Sequence, residues 1–365
     1  ARALIARLGD PADLVGDLEE LLGRRRRDEG KLDEALAHHR AELTLREQVH
    51  GQSSLEAADA RANVAGVLVF LDHLEEATRE NDRALAEAEA VLGPDHPRLS
   101  SMLNKQGMAL KLSGRYEEAR ATLSRALTIL ERAVGPDTER ASSVMMNLGN
   151  TCLHLRRFDE ARALHERVIA IKQRTFGPDH PAVALAINNL ANVAFEEKRW
   201  EEAIALHTRA LAIREKALAP TDRMIGMSLT NLGDALVGAK RPEEAIERYR
   251  ASIAILEKLQ GGKHSWLGYP LTGLGVALLD KGKPAEAIAP LERALTIRDK
   301  PGLAEDIAAE TRFALARALF AAGKDHPRAL SLARAAREAF VAAGPMKSAF
   351  VAEVDAWLTR VGERR

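Results

Sequence analysis

Cysteine, aromatic residues and long apolar runs are all scarce in this sequence. A single cysteine in 365 residues excludes a disulfide framework and a cysteine-rich zinc site, and it favours a reducing, cytoplasmic location. The longest apolar run, residues 64–71, is far shorter than the roughly 20 residues that a membrane-spanning helix needs. Aromatic residues make up only 4% of the chain, which suits helices that pack through small side chains.

An excess of either charge is absent as well. Lysine plus arginine and aspartate plus glutamate both number 53, so we expect neither nucleic acid nor an anionic membrane as a partner. The sequence starts Ala1-Arg2-Ala3-Leu4-Ile5, without an initiator methionine or the apolar region of a signal peptide. We interpret the chain as a fragment whose residues 1–8 end a preceding helix.

A unit of 42 residues recurs along the chain, and residues 177–218 are its clearest copy. The copy opens with GPDHP, continues as an amphipathic run, breaks at residues 198–200 and ends in a second amphipathic run. This pattern predicts two antiparallel helices joined by a turn. A constant period of this length indicates a solenoid, in which each hairpin packs on the next.

The period also predicts the domain organisation. Repeats begin at residues 9, 51, 93, 135, 177, 219, 261 and 303 and fill residues 9–344. The linkers are single short turns, so no domain boundary is expected within the array. Residues 345–365 are predicted to form a C-terminal capping helix with Phe350, Val354, Trp357 and Leu358 on one face.

Residues at the close-packing positions carry a family resemblance. Small residues Ala191 and Ala203, together with Leu190 and Ala210-Leu211, occupy the packing positions of the tetratricopeptide repeat. The 42-residue spacing, the GPDHP opening, NNLA at residues 188–191 and RALAIREK at residues 209–216 resemble the kinesin light chain class of these repeats, as found in bacteria. The resemblance covers nearly the whole chain. It implies an all-α, right-handed superhelix of about eight hairpins, whose first helices line a concave groove for peptides or partner helices, without enzymatic activity.

Polar residues recur in register on the first helices. One position holds Asn63, Lys105, Asn147, Asn189 and Asn231, and the position three residues on holds Gly66, Met108, Asn150, Asn192 and Asp234. Asn104 and Asn188, each directly before the first position, are assigned to the same peptide-binding surface. A carboxamide offers an acceptor and two donors, so a ladder of them can pair with the backbone of an extended peptide. The alternative is that the asparagines help adjacent repeats to pack.

Two further groups are candidates for peptide contacts. Met224, Met227, Trp266 and Tyr269 fall at groove-facing positions and suit an apolar anchoring pocket. Pro270 is expected to delay the start of its helix, which would instead leave Trp266 covering a loop. A third set could make one groove wall basic and favour an acidic peptide: Arg24, Arg27, Arg98, Lys105, Lys111 and Arg140. For the first two of these, a solvated helix end is the alternative.

Candidate catalytic residues are explained by the repeat. Cys152 shares a packing position with Leu110, Ala194 and Leu236, and we assign it to the core. His39, His165 and His207 share one position of the second helices, which indicates a structural role. The sequence contains no zinc-binding spacing, phosphate loop or nucleophile motif, so we expect no enzyme, metal or cofactor.

The sequence therefore predicts a non-catalytic scaffold that binds an extended peptide or partner segment in the groove. The first alternative is a peptide-gated regulatory module that controls an attached catalytic domain, such as a serine/threonine kinase, outside this fragment. Self-association through the groove or the ends of the array is a further alternative.

Overall fold

The computed structural model describes residues 11–259, 265–299, 305–344 and 347–362. These ranges contain 17 α-helices and one short 3₁₀ helix, and they contain no strand, so the predicted all-α fold class is confirmed. The helices are α1 (Ala12–Asp28), α2 (Leu32–His50), α3 (Leu55–Phe70), α4 (Leu74–Leu92), α5 (Leu99–Leu112), α6 (Tyr116–Val134), α7 (Glu139–His154), α8 (Phe158–Phe176), α9 (Pro181–Glu196), α10 (Trp200–Ala217), α11 (Arg223–Gly238), α12 (Pro242–Leu256), α13 (Gly268–Asp280), α14 (Pro284–Arg298), α15 (Glu305–Ala321), α16 (His326–Ala342) and α17 (Ser348–Gly362).

The chain divides into two compact units, Ala1–Pro178 and Asp179–Arg365. The first unit holds α1–α8 and the second holds α9–α17. The division falls within the GPDHP opening of the fifth repeat, residues 177–181. The predicted helix end at residues 1–8 and the repeat openings at 261–264 and 303 lie outside the described residues.

The turn inside each hairpin repeats with the same geometry. The second residue after the first helix has a positive φ whether it is glycine, as at Gly30 (φ 76°), or not, as at Arg156 (φ 57°) and Lys198 (φ 60°). The next N–H then closes the helix end: Arg157 donates to the carbonyl of Cys152 at 2.9 Å. This is the usual left-handed cap of a helix C-terminus, and it fixes where the second helix starts.

A small residue on the first helix opposes a large side chain 16 positions later on the second helix. A Cβ added at Gly107 would lie 2.4 Å from Leu123, and one at Gly149 would lie 2.7 Å from His165. The equivalent pairs of the other hairpins with a glycine at this position are Gly23 with His39, Gly233 with Tyr249 and Gly275 with Leu291. Because glycine has no side chain, the second helix can bring a long side chain directly against the backbone of the first.

The C-terminal end of the second unit is closed by α17. Val354 is fully buried against α15 and α16, and Trp357 packs edge-on against Phe313, with ring centroids 5.8 Å apart. Residues 345 and 346, which the sequence included in this helix, lie outside the described residues.

The expected late start of the helix that contains Pro270 is confirmed: the register of α9, from Pro181, and α11, from Arg223, places a helix start at residue 265, whereas α13 begins at Gly268. The 3₁₀ helix Ser265–Leu267 leads directly into α13, which begins at Gly268, two residues before Pro270. Proline is tolerated there because the first N–H groups of a helix have no intrahelical acceptor. Trp266 therefore lies in the 3₁₀ helix immediately before α13.

The glycine contact predicts opposite effects for two similar substitutions. Gly107→Ala places a methyl group 2.4 Å from the fully buried Leu123, and we expect a loss of about 1–3 kcal/mol from overpacking. Gly66→Ala, in the middle of α3, would meet only the Lys105 side chain at 3.9 Å, and the helix propensity of alanine should add up to about 1 kcal/mol. Thermal unfolding followed by circular dichroism should show a lower Tm for the first variant and an unchanged or higher Tm for the second. Equal shifts in the same direction would contradict the packing account.

The buried histidines predict a dependence of stability on pH. His165 is fully buried, neither ring nitrogen has a hydrogen-bond partner among the described residues, and burial lowers its pKa to about 4. Below pH 6.5 the unfolded chain gains a proton that the folded chain does not take, so stability falls as the pH decreases from 6.5 towards 4. Leucine occupies this position in two other hairpins. His165→Leu should therefore raise Tm, and the gain should be larger at pH 5 than at pH 7.5. The gain in the free energy of unfolding should differ between the two pH values by about 1–2 kcal/mol.

The control for this measurement is His73→Gln, because the His73 side chain is 58% exposed. It should leave the pH profile of Tm unchanged. If the gain in Tm of the His165→Leu variant were the same at every pH in this range, the pKa of the histidine would not differ between the folded and unfolded chain.

Candidate functional site

The exposed positions of the first helices form the candidate surface of each unit, called here the first-helix face. In the first unit it is built from α1, α3, α5 and α7, and in the second from α9, α11, α13 and α15. Side chains three or four residues apart share one side of a helix, so the two polar positions of each repeat lie one turn apart on this face. Asn63, Asn104, Lys105, Asn147, Asn150, Asn192, Met227, Asn231 and Asp234 are all half-buried there.

In the first unit the polar side chains bond to each other across neighbouring repeats. Asn147 Nδ2 donates to Asn104 Oδ1 at 2.9 Å, and Lys105 Nζ donates to Asn63 Oδ1 at 3.0 Å. Each bond joins one repeat to the next, as the packing interpretation expects. Each also holds a carboxamide in a defined orientation, and the oxygen and second N–H of Asn147 are not used by it.

Lys105 belongs to a buried polar chain. Asn63 Nδ2 donates to Glu42 Oε1 at 3.5 Å, and Glu42 Oε2 lies 2.8 Å from His39 Nδ1. Glu42 and His39 are 3% and 2% exposed, respectively. Burial lowers the pKa of Lys105 to about 8, because the charged amine loses hydration and its strongest contact here is a neutral amide.

Four of the six cations of the predicted basic wall contact a carboxylate or an amide, whereas neither Lys111 nor Arg140 forms an ion pair with a described residue. Arg24 pairs with Glu20, and Arg98 pairs with Asp59. Arg27 pairs with Asp28 at 3.1 Å at the end of α1, as expected of a solvated helix end. Carboxylates therefore neutralise Arg24, Arg27 and Arg98 of the predicted wall, and selection of an acidic peptide by the other three cations stays a prediction.

In the second unit the carboxamide pattern is repeated. Asn231 Nδ2 donates to Asn188 Oδ1 at 3.0 Å, the counterpart of the pair formed by Asn147 and Asn104. Asn188 and Asn189 are only 9% and 8% exposed, so the copy that defines the repeat best offers the least accessible asparagines. Asn192, one turn further along α9, is more accessible.

A cavity of about 330 Å³ opens beside Asn231 in the second unit. Its lining contains the predicted residues Met227, Asn231, Asp234, Trp266 and Tyr269, and these are therefore brought together by the fold. Thr230, Leu256, Arg298 and Ile307 complete the lining and were missed. Leu256 and Arg298 end the second helices α12 and α14, which a search confined to first-helix positions does not cover.

The carboxylate of Asp234 accepts a hydrogen bond from a tyrosine hydroxyl. Tyr249 Oη donates to Asp234 Oδ1 at 2.6 Å, and no described residue forms an ion pair with this carboxylate. Burial raises the pKa of Asp234 to about 6, although the hydrogen bond from the tyrosine works in the opposite direction. The carboxylate is thus an acceptor with spare capacity at the edge of the cavity.

Arg298 reaches the cavity from the end of α14. The residue is 4% exposed, its guanidinium carbon lies 4.4 Å from the centre of the Tyr269 ring, and burial lowers its pKa. Nη1 donates to the carbonyl of Ile307 at 3.3 Å and to Thr311 Oγ1 at 3.1 Å. The register gave a signal for this residue, since Lys172 and Arg214 occupy the same position in two earlier repeats.

The described residues give little support to a cysteine nucleophile, a metal site or a membrane-spanning helix. Cys152 is fully buried, and burial raises the pKa of its thiol to about 12, which opposes nucleophilic reactivity. Within the described ranges, no three histidine, cysteine or acidic side chains are grouped so as to hold a metal ion. Over the same ranges, none of the helices has both the length and the apolar character needed to cross a bilayer.

Solved structures of similar fold include two Rap proteins. The chain is similar to the apo form of RapI, with a TM-score of 0.66 and 14% identity over 90% of this chain and 86% of RapI. It is similar to a Rap protein complexed with Competence and Sporulation Factor, with a TM-score of 0.60 and 14% identity over 97% and 99% of the two chains. A kinesin light chain with TPR-like repeats from Podospora anserina gives a TM-score of 0.49 and 23% identity over 55% and 95%.

Sequence comparison identifies the family. No curated protein sequence matches the chain. The tetratricopeptide repeat family profile matches residues 74–132, 140–216 and 224–300, which together make up more than half of the sequence. The chain therefore belongs to the tetratricopeptide repeat family.

Proposed function

We propose that this protein is a non-catalytic scaffold that binds an extended peptide or partner segment along its first-helix face. Tetratricopeptide repeat proteins are in general scaffolds for protein interactions, which supports the coarse part of this proposal. The Rap protein of similar fold is complexed with Competence and Sporulation Factor, so this fold can hold a bound factor.

The observation that carries the proposal is the orientation of the carboxamides. One asparagine pair in each unit, Asn104 with Asn147 and Asn188 with Asn231, is locked by a hydrogen bond between adjacent repeats. A locked side chain has little conformational entropy left to lose when a ligand binds. The donor and acceptor groups that remain match the alternating N–H and C=O groups of an extended backbone.

Hydrogen bonds alone do not supply the required affinity. Each contributes about 0.5–1.5 kcal/mol, whereas micromolar binding corresponds to about 8 kcal/mol. An apolar anchor must add the remainder, and the cavity beside Met227, Trp266 and Tyr269 provides a site for one. The carboxamides then set the direction of the peptide, and the cavity sets most of its affinity.

The proposal predicts that removing accessible carboxamides weakens peptide binding without unfolding the protein. A peptide selected from a random phage-displayed library on the immobilised chain would be labelled with fluorescein and titrated by anisotropy. Asn150→Ala and Asn192→Ala lie one in each unit, and each should raise Kd by about 2- to 10-fold through the loss of one or more hydrogen bonds.

The matched control is Asn81→Ala. Asn81 is 1% exposed in the second helix α4, and its Nδ2 donates to the carbonyl of Met102 at 3.0 Å. This variant should lower Tm and leave Kd unchanged. An unchanged Kd in a folded variant that combines Asn147→Ala, Asn150→Ala, Asn192→Ala and Asn231→Ala would refute the carboxamide clamp.

A further inference from the structure

Lys105 is the only cation at its ladder position on the first helices. Four other repeats place an asparagine there, at residues 63, 147, 189 and 231. The side chain of Lys105 is half-buried and lines a cavity of about 350 Å³ in the first unit, formed by α1, α2, α3 and α5. The amine is therefore sheltered by the fold and still within reach of a small molecule.

The acidic groups near this amine are held by other partners. Glu42 accepts a hydrogen bond from Asn63, and Asp59 pairs with Arg98. Lys105 forms no ion pair with any described residue, and its Nζ donates to the neutral Oδ1 of Asn63 at 3.0 Å. The hydrogen bond orients the amine without the neighbouring negative charge that would hold it as an ammonium ion.

The neutral form of the Lys105 amine is consequently populated. Loss of hydration lowers its pKa to about 8, although Asp59 and Glu42 favour the charged form. About one fifth of such amines are neutral at pH 7.4, compared with about one in a thousand for a lysine of ordinary pKa. Only the neutral amine has the lone pair that attacks an electrophile. Lys105 is thus better prepared for nucleophilic attack than an ordinary lysine.

The charges of the cavity select the kind of electrophile. The described lining contains, besides Lys105, two arginines and four acidic residues: Arg24, Arg46, Glu20, Glu42, Glu56 and Asp59. Four carboxylates face three cations, so an anionic electrophile such as an acyl phosphate is disfavoured. An aldehyde is neutral, and the iminium ion that it forms with a lysine keeps the positive charge, which the carboxylates stabilise.

The walls of the cavity indicate what the aldehyde carries. Of the described residues that line it, only Ala62 and Met102 are apolar, and Asn63 and Ser101 add an amide and a hydroxyl to the charged groups. A hydroxyl group donates and accepts, so it can pair with carboxylates and guanidinium groups alike. An alkyl chain would leave these groups without partners. The cavity therefore suits a small aldehyde with hydroxyl groups.

We propose that Lys105 is a covalent binding site for a small hydroxylated aldehyde, held in the cavity formed by α1, α2, α3 and α5. The amine nitrogen bonds to the aldehyde carbon, and the carbon–oxygen bond breaks as the oxygen leaves as water with both amine protons. The imine nitrogen then takes one proton from solvent and becomes the iminium ion. This site does not depend on the proposed scaffold function and is tested without a peptide.

The test traps the iminium ion by reduction. The unmodified chain is incubated with glyceraldehyde and sodium cyanoborohydride at pH 7.4, and the adduct at each lysine is quantified by peptide mass spectrometry. Lys105 should carry at least about fivefold more adduct than two internal controls, because more of its amine is neutral and the cavity holds the aldehyde. The controls are Lys216, whose side chain is 70% exposed, and Lys111, a half-buried lysine of α5 outside the cavity lining whose pKa burial also lowers. Equal adduct at Lys105 and either control would overturn the proposal.

Two other aldehydes test recognition by the cavity. Propanal has the same three-carbon chain without hydroxyl groups, and glyoxylate carries a negative charge. The preference for Lys105 over Lys216 should fall at least about threefold with each of them, which corresponds to the loss of one hydrogen bond or more. An equal preference with propanal would show a reactive amine that does not recognise hydroxyl groups, and an equal preference with glyoxylate would contradict the selection by charge. Either result overturns the proposal.

A matched pair of variants tests the state of the amine. Asn63→Asp places a carboxylate oxygen at the atom that lies 3.0 Å from Lys105 Nζ, and it should lower the adduct at Lys105 at least about fivefold because it favours the ammonium form. Gln52→Glu makes the same change from amide to carboxylate at an exposed position outside the cavity lining and should leave the adduct unchanged. An undiminished adduct in a folded Asn63→Asp variant would overturn the proposal.

The unmodified chain decides the question if Asn63→Asp fails to fold. The ratio of the adduct at Lys105 to that at Lys216 should fall as the pH rises from 7 to 10. The reason is that a lysine of ordinary pKa keeps gaining neutral amine over this range, whereas the Lys105 amine is already largely neutral above its lower pKa. A ratio that does not change with pH would overturn the proposal.

Discussion

Each hairpin with a glycine on its first helix depends on one contact, in which the second helix packs a large side chain against that glycine. Where glycine stands, as at Gly107 or Gly275, a Cβ would come within 2.4 Å of the opposing side chain. The contact fixes the distance between the helices while leaving the identity of the large side chain open. Leucine, histidine and tyrosine all occur there, so the chemistry of this buried position varies along the array without a change of backbone.

Tyr249 is the large side chain at this position in the hairpin beside the candidate site. Its ring lies against Gly233 of its own hairpin and Gly273 of the next, and Cβ atoms at these two glycines would lie 2.6 and 2.4 Å from it. Its hydroxyl donates to Asp234, which lines the cavity. Gly273 is also the position at which the carboxamide ladder stops, and the tyrosine ring explains why: an asparagine there has no room. The ladder therefore ends where the apolar cavity begins.

Most of the fold was predictable from the sequence because the contacts that define it are short in range and repeat. The helices, the turns at residues 30, 156 and 198 and the family all follow from a period of 42 residues. Within the site, the gathering of Met227, Trp266 and Tyr269 also followed from register, since one helical turn or one repeat separates them. The late start of α13 was also predictable, because proline disfavours a helix interior but is accommodated in a first turn.

The sequence by itself determined which residues share a face, because helical periodicity and a constant repeat length assign directions to side chains without any knowledge of contacts. Only the tertiary structure decided which polar groups on that face bond to each other. Asn104 bonds to Asn147, Lys105 to Asn63, and Arg24 and Arg98 of the expected basic wall to nearby carboxylates. Such pairing depends on distances of about 3 Å between residues up to 43 positions apart, which a register alignment does not contain. The same holds for Arg298: its register was visible, but its burial beside an apolar cavity arises only when α14 packs against α13 and α15.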